Sequence, residues 1–117
     1  MMAVGNRGPG LGTAAAPLAG GAITVGAYTS SAMWQHRGLP GQVESIPAYS
    51  GVGGSAVAGP ALVAPGHAVT YAPAWLGGAV QSIEGTSVAA AYTAGAVALL
   101  LESAHRLGIR PGGHEVR

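Results

Sequence analysis

The stretch Ile83 to Glu102, IEGTSVAAAYTAGAVALLLE, limits what this chain can become more than any other segment. A Gly-Thr-Ser turn leads straight into an apolar run dominated by alanine, the residue of highest helix propensity. Val88, Tyr92, Gly95 and Leu99 recur at helical spacing, as do Ala91, Ala94, Ala98 and Leu101. The pattern predicts a helix from Ser87 to roughly Leu107, with Gly108 placed to end it and Pro111 barring continuation. Small residues between 89 and 98 would let its back lie close against strands. The apolar run from Val88 to Leu101 is interrupted by Tyr92 and Thr93 and falls short of the roughly 20 residues a spanning helix needs. The expectation is a helix buried inside a protein, with no membrane as partner.

Composition says how much protein must surround such a helix. The chain has 117 residues, 49% of them hydrophobic and only 8% charged. That charge fraction leaves too little polar surface for a small globule, whose surface-to-volume ratio is high. A core-rich piece of a larger domain is the natural reading. The net charge of +1 and five scattered arginines give no footprint for nucleic acid. Cysteine is absent, which excludes disulfides and thiolate metal sites. The opening MMAVGNRGPG has no charged region followed by an apolar run, so it does not read as a secretory signal.

Upstream of the helix, AITVGAY (Ala22 to Tyr28) is apolar and β-branched, the pattern of a strand buried on both faces of a parallel sheet. Met1 to Val4 reads as the end of another buried strand, followed by loop chemistry in GNRGPGLGT. Ser31 to Glu44 reads as a loop with a short helical turn. Pro47, Pro60 and Pro65 exclude a helix before ALVAPG (Ala61 to Gly66), which reads as a short buried strand; HAVTYAPAW adds an extended stretch. Buried strands, turns and one long helix give an α/β class. The division is one partial domain over 1–107 and a flexible tail over 108–117.

Two readings of the Gly-Thr-Ser turn follow from the residues alone. Thr86 or Ser87 is an ordinary N-cap, or Ser87 is a nucleophile at the positive end of the helix, where free amides would steady a developing negative charge. Gly85 would leave room for a substrate backbone. Asn6 has a plain alternative as a turn residue of the Gly5-to-Gly10 loop.

The ensemble decides more than any single motif. GTSVAAAYTAGAVALLLE resembles the serine signature of the subtilisin-like serine peptidases, the subtilases. VAPG at Val63 to Gly66, YSGVGGSAVAGP at Tyr49 to Pro60, AITVGAY and AVGNRGPG are similar to segments of that family and stand in its order, over Met1 to Leu101. The wording is similar to the pyrolysin-like and tripeptidyl-peptidase-like branches. The resemblance implies the C-terminal portion of a doubly wound parallel-sheet domain and a serine endopeptidase acting on polypeptides through an acyl-enzyme. It implies Ser87 as nucleophile and Asn6 as side-chain donor of the oxyanion hole. Ala3, Val4, Gly5 and Gly85 would then line the substrate site, with the loop toward Pro17. Calcium sites are common in such enzymes, but with no aspartate in this chain no metal is assigned, nor any cofactor, and the location, secreted or cell-envelope for the family, is unmarked in this chain. Val88 replaces a frequent methionine, and Ala91-Tyr92 replace a frequent Pro-His.

The family's triad runs Asp, His, Ser along the chain. This sequence has no aspartate, and none of its four histidines is followed by Gly-Thr. His105 would lie ~27 Å along the helix from Ser87. His36 and His67 read as loop residues and Glu84 as solvated. The acid and base are therefore expected on a missing N-terminal half, and the chain alone is expected to be inactive. A non-catalytic remnant serving as a binding or assembly module is the alternative. A dinucleotide site at GVGGSA (Gly51 to Ala56) is disfavoured, because Pro47 precedes it and Gly59-Pro60 follow.

Overall fold

The computed structural model describes residues 1–15 and 21–109. Three parallel strands form its centre in the order β1 (Met2–Ala3), β2 (Thr24–Tyr28) and β3 (Leu62–Pro65). Register sets Met2 opposite Thr24 and Val25 opposite Leu62. In β2, Thr24 to Ala27 are all buried, as a central strand with no polar alternation requires. In β3, by contrast, Leu62 and Val63 are exposed and Ala64 alone is buried. The expectation of a buried strand fails there because β3 is an edge, with no neighbour on its outer side among the described residues.

Between β2 and β3 the chain forms one short helix, α1 (Ser31–His36), where only a helical turn was expected. Ser30 caps it, its hydroxyl accepting from the Met33 amide at 3.2 Å. The Gly51-to-Ala56 segment is irregular; it follows no strand and opens no helix, so the structure offers no dinucleotide cradle there. After β3 come β4 (His67–Tyr71) and β5 (Val80–Glu84), an antiparallel ribbon bridged by a short 3-10 turn at Ala74–Leu76. The polar sequence VQSIE gave no warning of β5; its pairing with β4 makes it a strand.

The long helix α2 (Thr86–Arg106) lies across β1, β2 and β3. It starts one residue before the expected Ser87. At its far end Gly108 takes φ +74°, its amide bonds the His105 carbonyl at 3.0 Å, and the Ile109 amide bonds that of Ala104 at 2.9 Å. This is the Schellman closure anticipated from Gly108. Only Thr86, Ala89 and Thr93 of α2 are buried, a single stripe facing the sheet. The expected all-round burial is thus not found within this chain. By length and composition α2 is long and apolar enough to cross a membrane, contrary to the expectation of too short a run. Its docking on the sheet through Ala89 and Ala90 is the contact of a sheet-covering helix.

The core between helix and sheet is Val25, Ala27, Ala64 and Ala89, flanked by Ile23, Tyr49 and Ala90. Alanine methyls let the layers approach closely but remove little area from water, at ~25 cal/mol per Å². Every leucine among the described residues is exposed. The Cα radius of gyration is 16.2 Å, against about 13 Å for a compact domain of this length. Residues 110–117 of the expected tail, and Pro17, lie outside the described residues.

Candidate active site

The N-terminus of α2 is built without a side-chain cap of its own. Gly85 occupies the capping position at φ +146°, a conformation that side chains rarely adopt. A methyl group there would also sit 3.1 Å from Asn6 Nδ2. Thr86 and Ser87 are therefore the first two residues of the helix, and neither is its N-cap. The free amides of the first turn have three different fates. Thr86 N–H donates to Asn6 Oδ1 at 2.9 Å, supplying from 80 residues away the bond a cap would make. Val88 and Ala89 N–H both turn to the Gly85 carbonyl, at 3.1 and 3.4 Å. Ser87 N–H has no partner among the described residues.

Asn6 is held there by a directed chain of hydrogen bonds. The Gly5 amide donates to Thr86 Oγ1 at 3.2 Å, so the threonine hydroxyl is free to donate onward. It does so to Asn6 Oδ1 at 2.8 Å. Two donors now converge on one atom of Asn6, which must be its carbonyl oxygen. The amide orientation is thereby fixed, with Nδ2 on the other side, next to Gly85. Ser87 and Asn6 are both exposed at this helix end, whereas Gly85 and Thr86 are buried beneath them.

The loop carrying Asn6 is pinned by the Tyr49-Ser50-Gly51 turn. Gly8 N–H donates to the Tyr49 carbonyl and Gly51 N–H to that of Gly5, each at 2.9 Å. Ser50, itself buried, accepts from the Ala27 amide at 3.1 Å and so ties the turn to β2. Gly66, after β3, bonds the Gly85 amide through its carbonyl at 2.9 Å and accepts from the Tyr49 hydroxyl at 3.1 Å. Burial first, then the Glu84 carboxylate, push the Tyr49 phenol above its ordinary pKa, against the pull of Arg37 and the Gly85 backbone. Four motifs spread over Gly5 to Ser87 thus meet at one place.

The remaining sequence candidates divide. Ala3 ends β1 and is partly exposed, as is Gly5. Val4 is fully buried, with its amide bonded to Val25 and its carbonyl to Ala15. Its side chain belongs to the core and presents nothing to a ligand. Glu84 is ion-paired with Arg37, where a merely solvated carboxylate was expected. His36 ends α1 and His67 begins β4, so neither is a loop residue. His67 engages Ser82, and His105 is in the last turn of α2. No histidine bonds Ser87 among the described residues. Thr86 was missed as more than a cap; its place between Gly85 and Ser87 was the only signal.

Ser87 also stands on the rim of a groove of about 820 Å³ between the β4–β5 ribbon and the outer face of α2. Val69, Ile83, Val88, Tyr92 and Leu99 line it, and nothing charged does among the described residues. A family model described as the subtilase family matches residues 1–111. This chain belongs to the subtilases. It is similar to the pyrolysin of Pyrococcus furiosus, 36% identical over 132 aligned positions that take in 93% of this chain. The match spans 9% of that relative's length, so this subtilase chain corresponds to a small part of it. No solved structure matches. The α/β arrangement of a parallel sheet under a helix agrees with a subtilase domain fragment.

Proposed function

We propose that this chain supplies the nucleophile and the oxyanion donors of a subtilisin-like endopeptidase site acting on polypeptides. The observation that carries the reading is the Gly5–Thr86–Asn6 hydrogen-bond chain. It leaves two uncommitted donors, Asn6 Nδ2 and Ser87 N–H, at the helix end that bears the Ser87 hydroxyl. Ser87 Oγ attacks the scissile carbonyl, the carbonyl oxygen takes up negative charge, and the two N–H groups and the helix end stabilise it. Collapse expels the amine and leaves an acyl-enzyme on Ser87, which water then hydrolyses. Ala3, Gly5 and Gly85 border the substrate, and the Val4 side chain serves by packing alone.

Attack requires a base to take the Ser87 proton and an acid to orient that base. With no aspartate in the sequence and no histidine bonded to Ser87 among the described residues, both groups come from residues outside it. The polypeptide that carries them occupies the apolar groove beside Ser87 and continues the sheet, giving the doubly wound arrangement. Its docking would bury the exposed leucines of α2. In subtilisin, loss of the base costs nearly as much as loss of the whole triad, so the chain alone turns over no peptide.

Fluorophosphonate labelling with casein hydrolysis tests this. The chain alone should be unlabelled and inactive; with a polypeptide bearing the Asp and His segments of a related subtilase, Ser87 should label and casein should be cut. Strong labelling of the chain alone would refute the division of the site. Labelling that survives Ser87→Ala in the mixture would refute the nucleophile.

A further inference from the structure

Immediately before the Gly85 turn, α1 meets the β4–β5 ribbon through ionisable groups that the peptidase reading leaves unused. His67, the first residue of β4, is 8% exposed, and its backbone partner on β5 is Glu84. Its Nε2 lies 2.5 Å from Ser82 Oγ. The His36 ring, at the end of α1, stands 6.4 Å away between centroids, at 52°. Arg37 follows, pairing with Glu84, its guanidinium 5.7 Å from the centre of the Trp34 ring. Trp34 Nε1–H in turn donates to Ser45 at 3.3 Å. Tyr49, from the preceding loop, faces the same Glu84 and Arg37 charges.

One carboxylate, Glu84, therefore serves the whole cluster, and Arg37 already occupies it. A proton on His67 would place a second cation in a nearly closed site beside the first. The only carboxylate facing His67 from α1, β4, β5 or the Tyr49 loop is that same Glu84. Glu84 adjoins Gly85, whose strained backbone sets the start of α2. We propose that His36, Arg37, His67 and Glu84 form an acid-operated latch: protonation of His67 releases α1 from the β4–β5 ribbon and loosens the Gly85 turn.

Burial first, then Arg37 and His36, hold the His67 imidazole below its ordinary pKa of 6.5, with Glu84 opposing. A folded pKa below the unfolded one favours neutral His67 in the closed state. The latch is then fully closed above pH 6.5 and opens as pH falls through the lower folded value.

The test uses the whole chain with Trp75→Phe, so that Trp34 is the sole indole. Trp34 emission and the His67 imidazole resonances are followed between pH 8 and 5. Both should change in one step, with a midpoint below 6.5. His67→Gln should abolish the step. Arg37→Gln, a second route should the first variant fail to fold, should move the midpoint upward by removing the competing cation. No step in that range, a step that survives His67→Gln, or a midpoint unmoved by Arg37→Gln would overturn the latch.

Discussion

Asn6 Oδ1 accepts both the backbone amide and the side-chain hydroxyl of Thr86, at 2.9 and 2.8 Å. Eighty residues apart in sequence, the two close the N-terminus of α2 from outside the helix and leave the asparagine Nδ2 beside Gly85. The threonine, more than the serine beside it, sets this geometry.

Thr86→Val keeps the shape of the side chain and deletes the hydroxyl. Gly5 N–H loses its acceptor and Asn6 loses one of two donors in a site where Thr86 is 1% exposed. Loss of about 1–3 kcal/mol in urea unfolding is expected, with Thr86→Ser close to the parent. In the complemented peptidase, Thr86→Val should lower kcat with little change in KM. Asn6→Ala should cost about 10²–10³-fold in kcat, a magnitude known from subtilisin and carried over.

Gly85→Ala forces a methyl group into φ +146° and to 3.1 Å from Asn6 Nδ2. The backbone strain alone costs of order 1–3 kcal/mol. The variant should unfold at lower denaturant and, once complemented, should label more slowly at Ser87. Parent-like labelling would show that Asn6 tolerates displacement.

The groove beside α2 predicts the solution behaviour of the isolated chain. Tyr92, Leu99, Leu100 and Leu101 are exposed, and such surface favours self-association. Light scattering should report oligomers, and the chain should bind a hydrophobic dye. Tyr92→Gln with Leu99→Gln should raise the monomer fraction and leave far-UV circular dichroism unchanged, since neither side chain is in the core. Loss of helix in that variant would show that the groove face is already packed.

Local patterns stated a good deal of this protein plainly. The alanine run and Gly108 announced α2 and its closure, and the unbroken apolar run of AITVGAY announced a central strand. The ordered motifs announced the family. These are short-range signals: propensity, periodicity, and residue type at fixed spacing. The neighbours of each element were not among them. VAPG reads the same in a central strand as at an edge, so the exposure of Leu62 and Val63 followed only from the strand order. VQSIE became a strand through its pairing with β4, and the burial of the Val4 side chain was decided by packing that its local sequence does not encode. The Thr86–Asn6 clasp and the Arg37–Glu84 pair span 80 and 47 residues. No local pattern encodes such bonds, because their partners meet only after the sheet has brought the loop ends together. Sequence fixed which groups the chain owns; the packing of helix on sheet decided which of them face one another.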